Sequence, residues 1–141
     1  MLRTRFLQNV INDLDASLIG AGVTGNRYGL VGFGGLDESA SQLPHKHLVG
    51  GGDFGSATQF QTAAGGLVVS GGIEDGYNAM DFALNNYSLR NDAARQFILV
   101  TDEDRDDQNT ALNFSVILNS LPRSPRPSST SKCRKLPPFP N

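Results

Sequence analysis

At 141 residues, 38% hydrophobic and 18% charged, with a formal net charge of -2, the chain is sized and composed for one soluble globular domain. That charge balance argues against nucleic-acid binding, which draws on clustered Lys and Arg, and no apolar stretch approaches the roughly 20 residues of a membrane span. Polar residues interrupt the N-terminus by Gln8, so it does not read as a signal peptide, and the single Cys133 has no partner for an internal disulfide.

The first element predicted is an amphipathic helix over residues 6–18. Phe6, Val10, Leu14 and Leu18 recur every four residues with Leu7 and Ile11 beside them, and Gly20 and Gly22 end the run. No strand precedes it, although a doubly wound sheet normally opens with one. Tyr28–Phe33 reads as a strand closed by Gly34 and Gly35. Residues 36–56 are polar and Gly-rich, a long loop with a short strand near His47–Val49. Residues 57–67 have the composition of a short helix, interrupted by paired glycines.

After Val68–Gly72 a better helix is expected. Tyr77, Met80, Leu84 and Tyr87 share one face, and Glu74 and Asp75 stand at its start, where the helix dipole favours negative charge. A strand is expected over 95–101, since Phe97-Ile-Leu-Val100 is a continuous apolar run suited to burial on both faces. Asp107 or Asn109 then caps a last helix through Leu112, Phe114, Ile117, Leu118 and Leu121. Strands alternating with helices predict an α/β fold with a mostly parallel sheet. The domain should span residues 1–121. Residues 122–141 hold six of the seven prolines with Ser and basic residues and no periodicity, and are expected to be disordered.

The apolar run 97–100 stops on carboxylates: Asp102, Glu103, Asp104, Asp106 and Asp107. Open α/β sheets place their ligand sites at the carboxyl ends of strands, which makes this edge the leading functional candidate. The spacing is not that of a helix–loop–helix calcium loop, because Asp107 stands where a Gly belongs and Asn113 where the closing Glu belongs. Against a cation role stands a solvated loop leading into a helix N-terminus. Gly32-Phe-Gly34-Gly35 falls short of a dinucleotide fingerprint, whose third glycine would be Asp37. His45 and His47 with Asp53 make an incomplete zinc set. No Gly-x-Ser-x-Gly supports a hydrolase.

Three blocks together resemble the von Willebrand factor A domain: Asn26–Gly34, then Gly71–Leu84 with Glu-Asp-Gly-Tyr, then Phe97–Asp106 with Val-Thr-Asp-Glu-Asp-Arg-Asp. Their order and spacing match that family's second strand, the loop into its third helix, and its fourth strand with the following Asp. The resemblance covers roughly residues 5–121. It implies a three-layer, Rossmann-like sheet with helices on both faces, incomplete here because the first strand and the last third have no counterpart.

The resemblance also implies a metal-ion-dependent adhesion site at the carboxyl edge, where an all-oxygen shell holds Mg²⁺ or Ca²⁺. Asp102 matches the Asp after the fourth strand. The family's Asp-x-Ser-x-Ser motif is absent, and Glu74 or Asp75 stands where a Thr belongs, so any such site is a remnant. The implied function is non-enzymatic binding of a protein or extracellular-matrix ligand, in a family whose usual setting is outside the cell. The alternatives are a poorly folded fragment of a larger protein of that type, and a Rossmann-like small-molecule binder or enzyme.

Overall fold

The computed structural model describes residues 2–34, 43–67, 74–91, 93–101, 105, 106 and 109–121. The elements run α1 (Leu2–Gly20), β1 (Leu30–Gly32), β2 (His45–His47), α2 (Ala57–Ala64), α3 (Gly76–Asn86) and α4 (Phe114–Ser120). The described residues thus form a small mixed α/β protein with four helices and one two-stranded sheet.

The periodicity of residues 6–18 is expressed as α1, but the buried stripe is narrower than the pattern. Ile11 is buried with Leu7 and Leu14 packed beside it, while Phe6 and Val10 face solvent. The helix stops where the sequence places glycine. Gly22 takes φ +83°, Val23 N–H reaches Leu18 O at 2.9 Å and Gly22 N–H reaches Ile19 O at 2.9 Å, a Schellman ending that consumes two orphan carbonyls.

α2 lies against α1. Ser56 and Gln59 form a capping box at its start, and Gln61 Nε2 donates to Gln8 O across the helix pair at 2.9 Å. Between them Ile11, Leu30, Val49, Ala57, Phe60 and Ala64 make the main core. Tyr28 meets Phe60 edge-on at 6.2 Å, and its hydroxyl donates to Asp15 Oδ1 at 2.8 Å, tying the segment before β1 to the last turns of α1.

β1 and β2 pair antiparallel, with Leu30 opposite His47 and Gly32 opposite His45. The strands foreseen at 28–33 and near 47–49 both exist, shorter or shifted, and they pair with each other. Val49-Gly50-Gly51-Gly52 then closes in a tight turn. Its two central glycines have φ +63° and +85°, the backbone a two-residue hairpin turn requires. A parallel three-layer sheet is not among the described residues.

The strand expected over 95–101 is not formed. Residues 94–100 make no backbone–backbone hydrogen bond to another described residue, although Ala93, Arg95 and Phe97 are half-buried while Ala94, Gln96 and Ile98 are exposed. That alternation is the two-residue period of extended chain. The local preference is expressed, but a strand exists only through a partner, and none of the described segments pairs with it. The run is therefore not covered on both faces: Ile98 is 64% exposed.

α3 begins as expected, with Asp75 as its cap. α4 starts later than predicted, because Asn113, whose side chain accepts from Val116 N–H at 3.0 Å, caps it. Asn109 instead shapes a turn, accepting from Ala111 N–H on its side chain and from Leu112 N–H on its carbonyl. Asp107, Asp102 and the Pro-rich tail at 122–141 lie outside the described residues.

Candidate functional site

Asp75 is 5% exposed at the first turn of α3, and its carboxylate is fully engaged. Oδ1 accepts from Asn78 N–H at 3.1 Å and from Arg105 Nε at 2.8 Å; Oδ2 accepts from Asn109 N–H at 3.1 Å and Arg105 Nη2 at 3.3 Å. A carboxylate offers about four lone-pair positions, and these four donors occupy them. Burial alone would raise the Asp75 pKa. The Arg105 guanidinium and the amides of Asn109 and Asn78 outweigh it and hold the carboxyl below its usual range.

Arg105 is the hub that sequence reading missed. Besides Asp75 it donates to Leu112 O and Asn109 O, both at 2.8 Å, and lies over the Tyr77 ring at 4.5 Å. The available signal was a lone cation embedded in the run Asp102–Asp107, facing a helix start with two acids. A buried carboxylate needs such a partner.

Next to this pair, Asp106 Oδ2 accepts from Glu74 N–H at 2.7 Å, while Asp106 N–H reaches Glu74 O at 3.1 Å. Thr101 Oγ1 donates to Glu74 Oε2 at 2.9 Å. Glu74 thus meets Thr101 and Asp106, and Asp75 meets Arg105, while Asp102 lies outside the described residues. Asp75 does not fit a cation, since it has no lone pair left to give. Among the described residues no group of three or more His, Cys, Asp or Glu side chains is placed to hold a metal ion.

The corner borders a cleft of about 950 Å³ walled by α1, β1, α3 and residues 93–101. Gly34, Glu74 and Thr101 line it, together with apolar groups such as Leu30 and Phe97. Leu99 rests on the start of α3, where a Cβ on Gly76 would meet its methyl at 2.7 Å.

Elsewhere along the cleft stand the two histidines. His45 and His47 project from the same face of β2, and their Nε2 atoms lie 3.0 Å apart. Burial first, then the neighbouring His45, push the His47 pKa down. Asp53 does not join them. It pairs with Lys46 at 2.9 Å, on the intervening residue whose side chain alternates to the other face. Lys46 and Tyr87, whose hydroxyl donates to Leu30 O, then link β2 and β1 to the end of α3.

Comparison with protein-family models, with curated proteins and with solved structures finds no match. No helix among the described residues is long and apolar enough to cross a membrane.

Proposed function

We propose that the chain is a non-enzymatic protein-binding module of von Willebrand factor A type. In this reading its α/β framework is part of a three-layer sheet, and its partner engages the corner of Gly34, Glu74 and Thr101. One observation carries the reading: those three residues, each from a different one of the three resembling blocks, line a single cleft, with Glu74 and Thr101 hydrogen-bonded. The partner is a protein or matrix ligand, and the contact does not use Mg²⁺ or Ca²⁺ on Asp75, because Arg105 and the backbone amides hold that carboxylate.

Saturable binding of the folded chain to a panel of immobilised matrix proteins tests this. Binding should be equal in Mg²⁺ and in chelator, and Glu74→Lys should abolish it. A folded chain that binds none of the panel, or a Glu74→Lys variant that binds unchanged, overturns the reading.

A second reading has its own support. Among the described residues eleven large hydrophobic side chains are exposed, Leu43 at 71% and Ile98 and Phe114 at 64% among them. Apolar surface on this scale is what a portion of a larger A-type fold presents before its neighbours cover it. Strong binding of a hydrophobic dye together with a broad, non-cooperative unfolding curve would favour this reading over the first.

A further inference from the structure

We propose that His45 and His47 form a two-imidazole site for a borderline divalent transition-metal ion of the Zn²⁺ class, its other coordination positions open to the cleft. The site lies apart from the corner of Glu74 and Thr101 and does not depend on that reading.

Three features of the pair point to a ligand. The first is the bite. Two imidazole nitrogens bound to one ion at about 2.0–2.1 Å stand roughly 2.9 Å apart at a right angle and roughly 3.3 Å apart at a tetrahedral one. The observed Nε2–Nε2 separation of 3.0 Å lies between these values.

The second feature is the tautomer. His45 Nδ1 lies 3.1 Å from Leu43 O. A carbonyl only accepts, so Nδ1 carries the proton and the neutral ring turns the lone pair of Nε2 toward His47. Orientation of this kind, one ring nitrogen donating to a backbone carbonyl and the other left bare, is how proteins prepare a metal-ligating histidine. With both rings neutral and no ion bound, that tautomer makes His47 Nε2–H the donor and His45 Nε2 the acceptor. With an ion bound, that proton is carried on His47 Nδ1 and both lone pairs face the metal.

The third feature is the space. A Cβ on Gly32 would stand 2.8 Å from the Nε2 atom of each histidine. The ring nitrogens therefore converge over the one residue type on β1 that leaves room for them. Imidazole pairs suit Zn²⁺, Ni²⁺ and Cu²⁺ rather than the hard cations Mg²⁺ and Ca²⁺. Because His45 and His47 both line the cleft, an ion held there keeps open positions for water or for a donor group on a bound molecule.

The chain has two histidines, so every imidazole signal in a ¹⁵N spectrum comes from this pair. The experiment titrates Zn²⁺ into the chain carrying Cys133→Ser, which removes the single thiol, and follows the ring nitrogens with binding heat recorded in parallel. Both histidines should shift together and saturate at one equivalent, with Mg²⁺ causing no shift. His45→Ala and His47→Ala should each weaken Zn²⁺ by about tenfold or more, and Gly32→Ala should weaken it comparably while leaving both imidazoles in the chain. Ring signals unmoved by one equivalent of Zn²⁺, or shifts that persist unchanged in urea-unfolded chain, would overturn the proposal. The unmutated rings carry that outcome, so it stands even where a variant fails to fold.

Discussion

The two ends of the described chain are held together by different physics. From α1 through α2 the contacts are apolar: Ile11, Val49, Phe60 and Ala64 fill one core, and polar groups cap and orient it from outside. From α3 through α4 the organising contact is a buried ion pair, with Arg105 reaching the Asp75 carboxylate, the backbone and the Tyr77 ring at once. Its apolar share is small, chiefly Ala79, Leu112 and Ile117. An apolar core tolerates loss in proportion to the volume removed, whereas a buried charge that loses its partner is left with its whole desolvation cost.

The largest expected effect tests the apolar region. Phe60 is 7% exposed and meets Tyr28 edge-on, and Phe60→Ala should cost about 3–5 kcal/mol in urea unfolding. A loss below about 1 kcal/mol would mean that α1 and α2 do not form the dominant core.

Asp75→Ala comes next, at about 3 kcal/mol, because Arg105 keeps its charge and loses its carboxylate. The loss should appear as faster amide exchange in 74–121 with little change in α1 and α2. Equal acceleration in both regions would show that they unfold as one unit and would break the comparison.

Acid should reproduce that effect. The Asp75 carboxyl titrates below its ordinary 3.8 in the folded chain, so it binds its proton more readily once unfolded. Its stabilisation is therefore present above that ordinary value and disappears as pH falls through the lowered folded value. Amide protection in α3 and α4 should drop below about pH 4 in the parent chain. In Asp75→Asn that step should be missing, and a step of unchanged size would assign it to other carboxylates.

The same contrast explains what could be read from the sequence. α1 was legible because helical periodicity marks the element, although Phe6 and Val10 of that stripe stay exposed, and α3 because Glu74 and Asp75 announce its start. The antiparallel pairing of β1 with β2 was not legible, since both strands are three residues long and pairing is set by neighbours, not by local pattern. The run 97–100 has the composition of a buried strand but no described partner, so composition alone over-read it. At the candidate corner the sequence named Glu74, Asp75 and Asp102 as acids. It could not show that Arg105 consumes Asp75, because the two are 30 positions apart and their contact depends on the fold. Likewise the sequence offered only a short strand near His47–Val49, and could not show that His45 and His47 share one face of β2 with Gly32 beside both rings.

The smallest effect sharpens the comparison most finely. Ser56 caps α2 and Asn113 caps α4, each accepting a backbone N–H three residues on. Ser56→Ala and Asn113→Ala should each cost about 1 kcal/mol, as losses of equivalent caps. The consequence should differ with location. α2 contributes Ala57, Phe60 and Ala64 to the core, so its lost cap lowers the urea midpoint of the whole apolar region. α4 buries Ile117 alone, so its seven residues can fray without opening anything else. Asn113→Ala should therefore raise amide exchange within 114–120 and leave the urea midpoint near its parent value. A midpoint shift as large as that of Ser56→Ala would place α4 inside the cooperative core, with Ile117 carrying more of the fold than its single buried side chain implies.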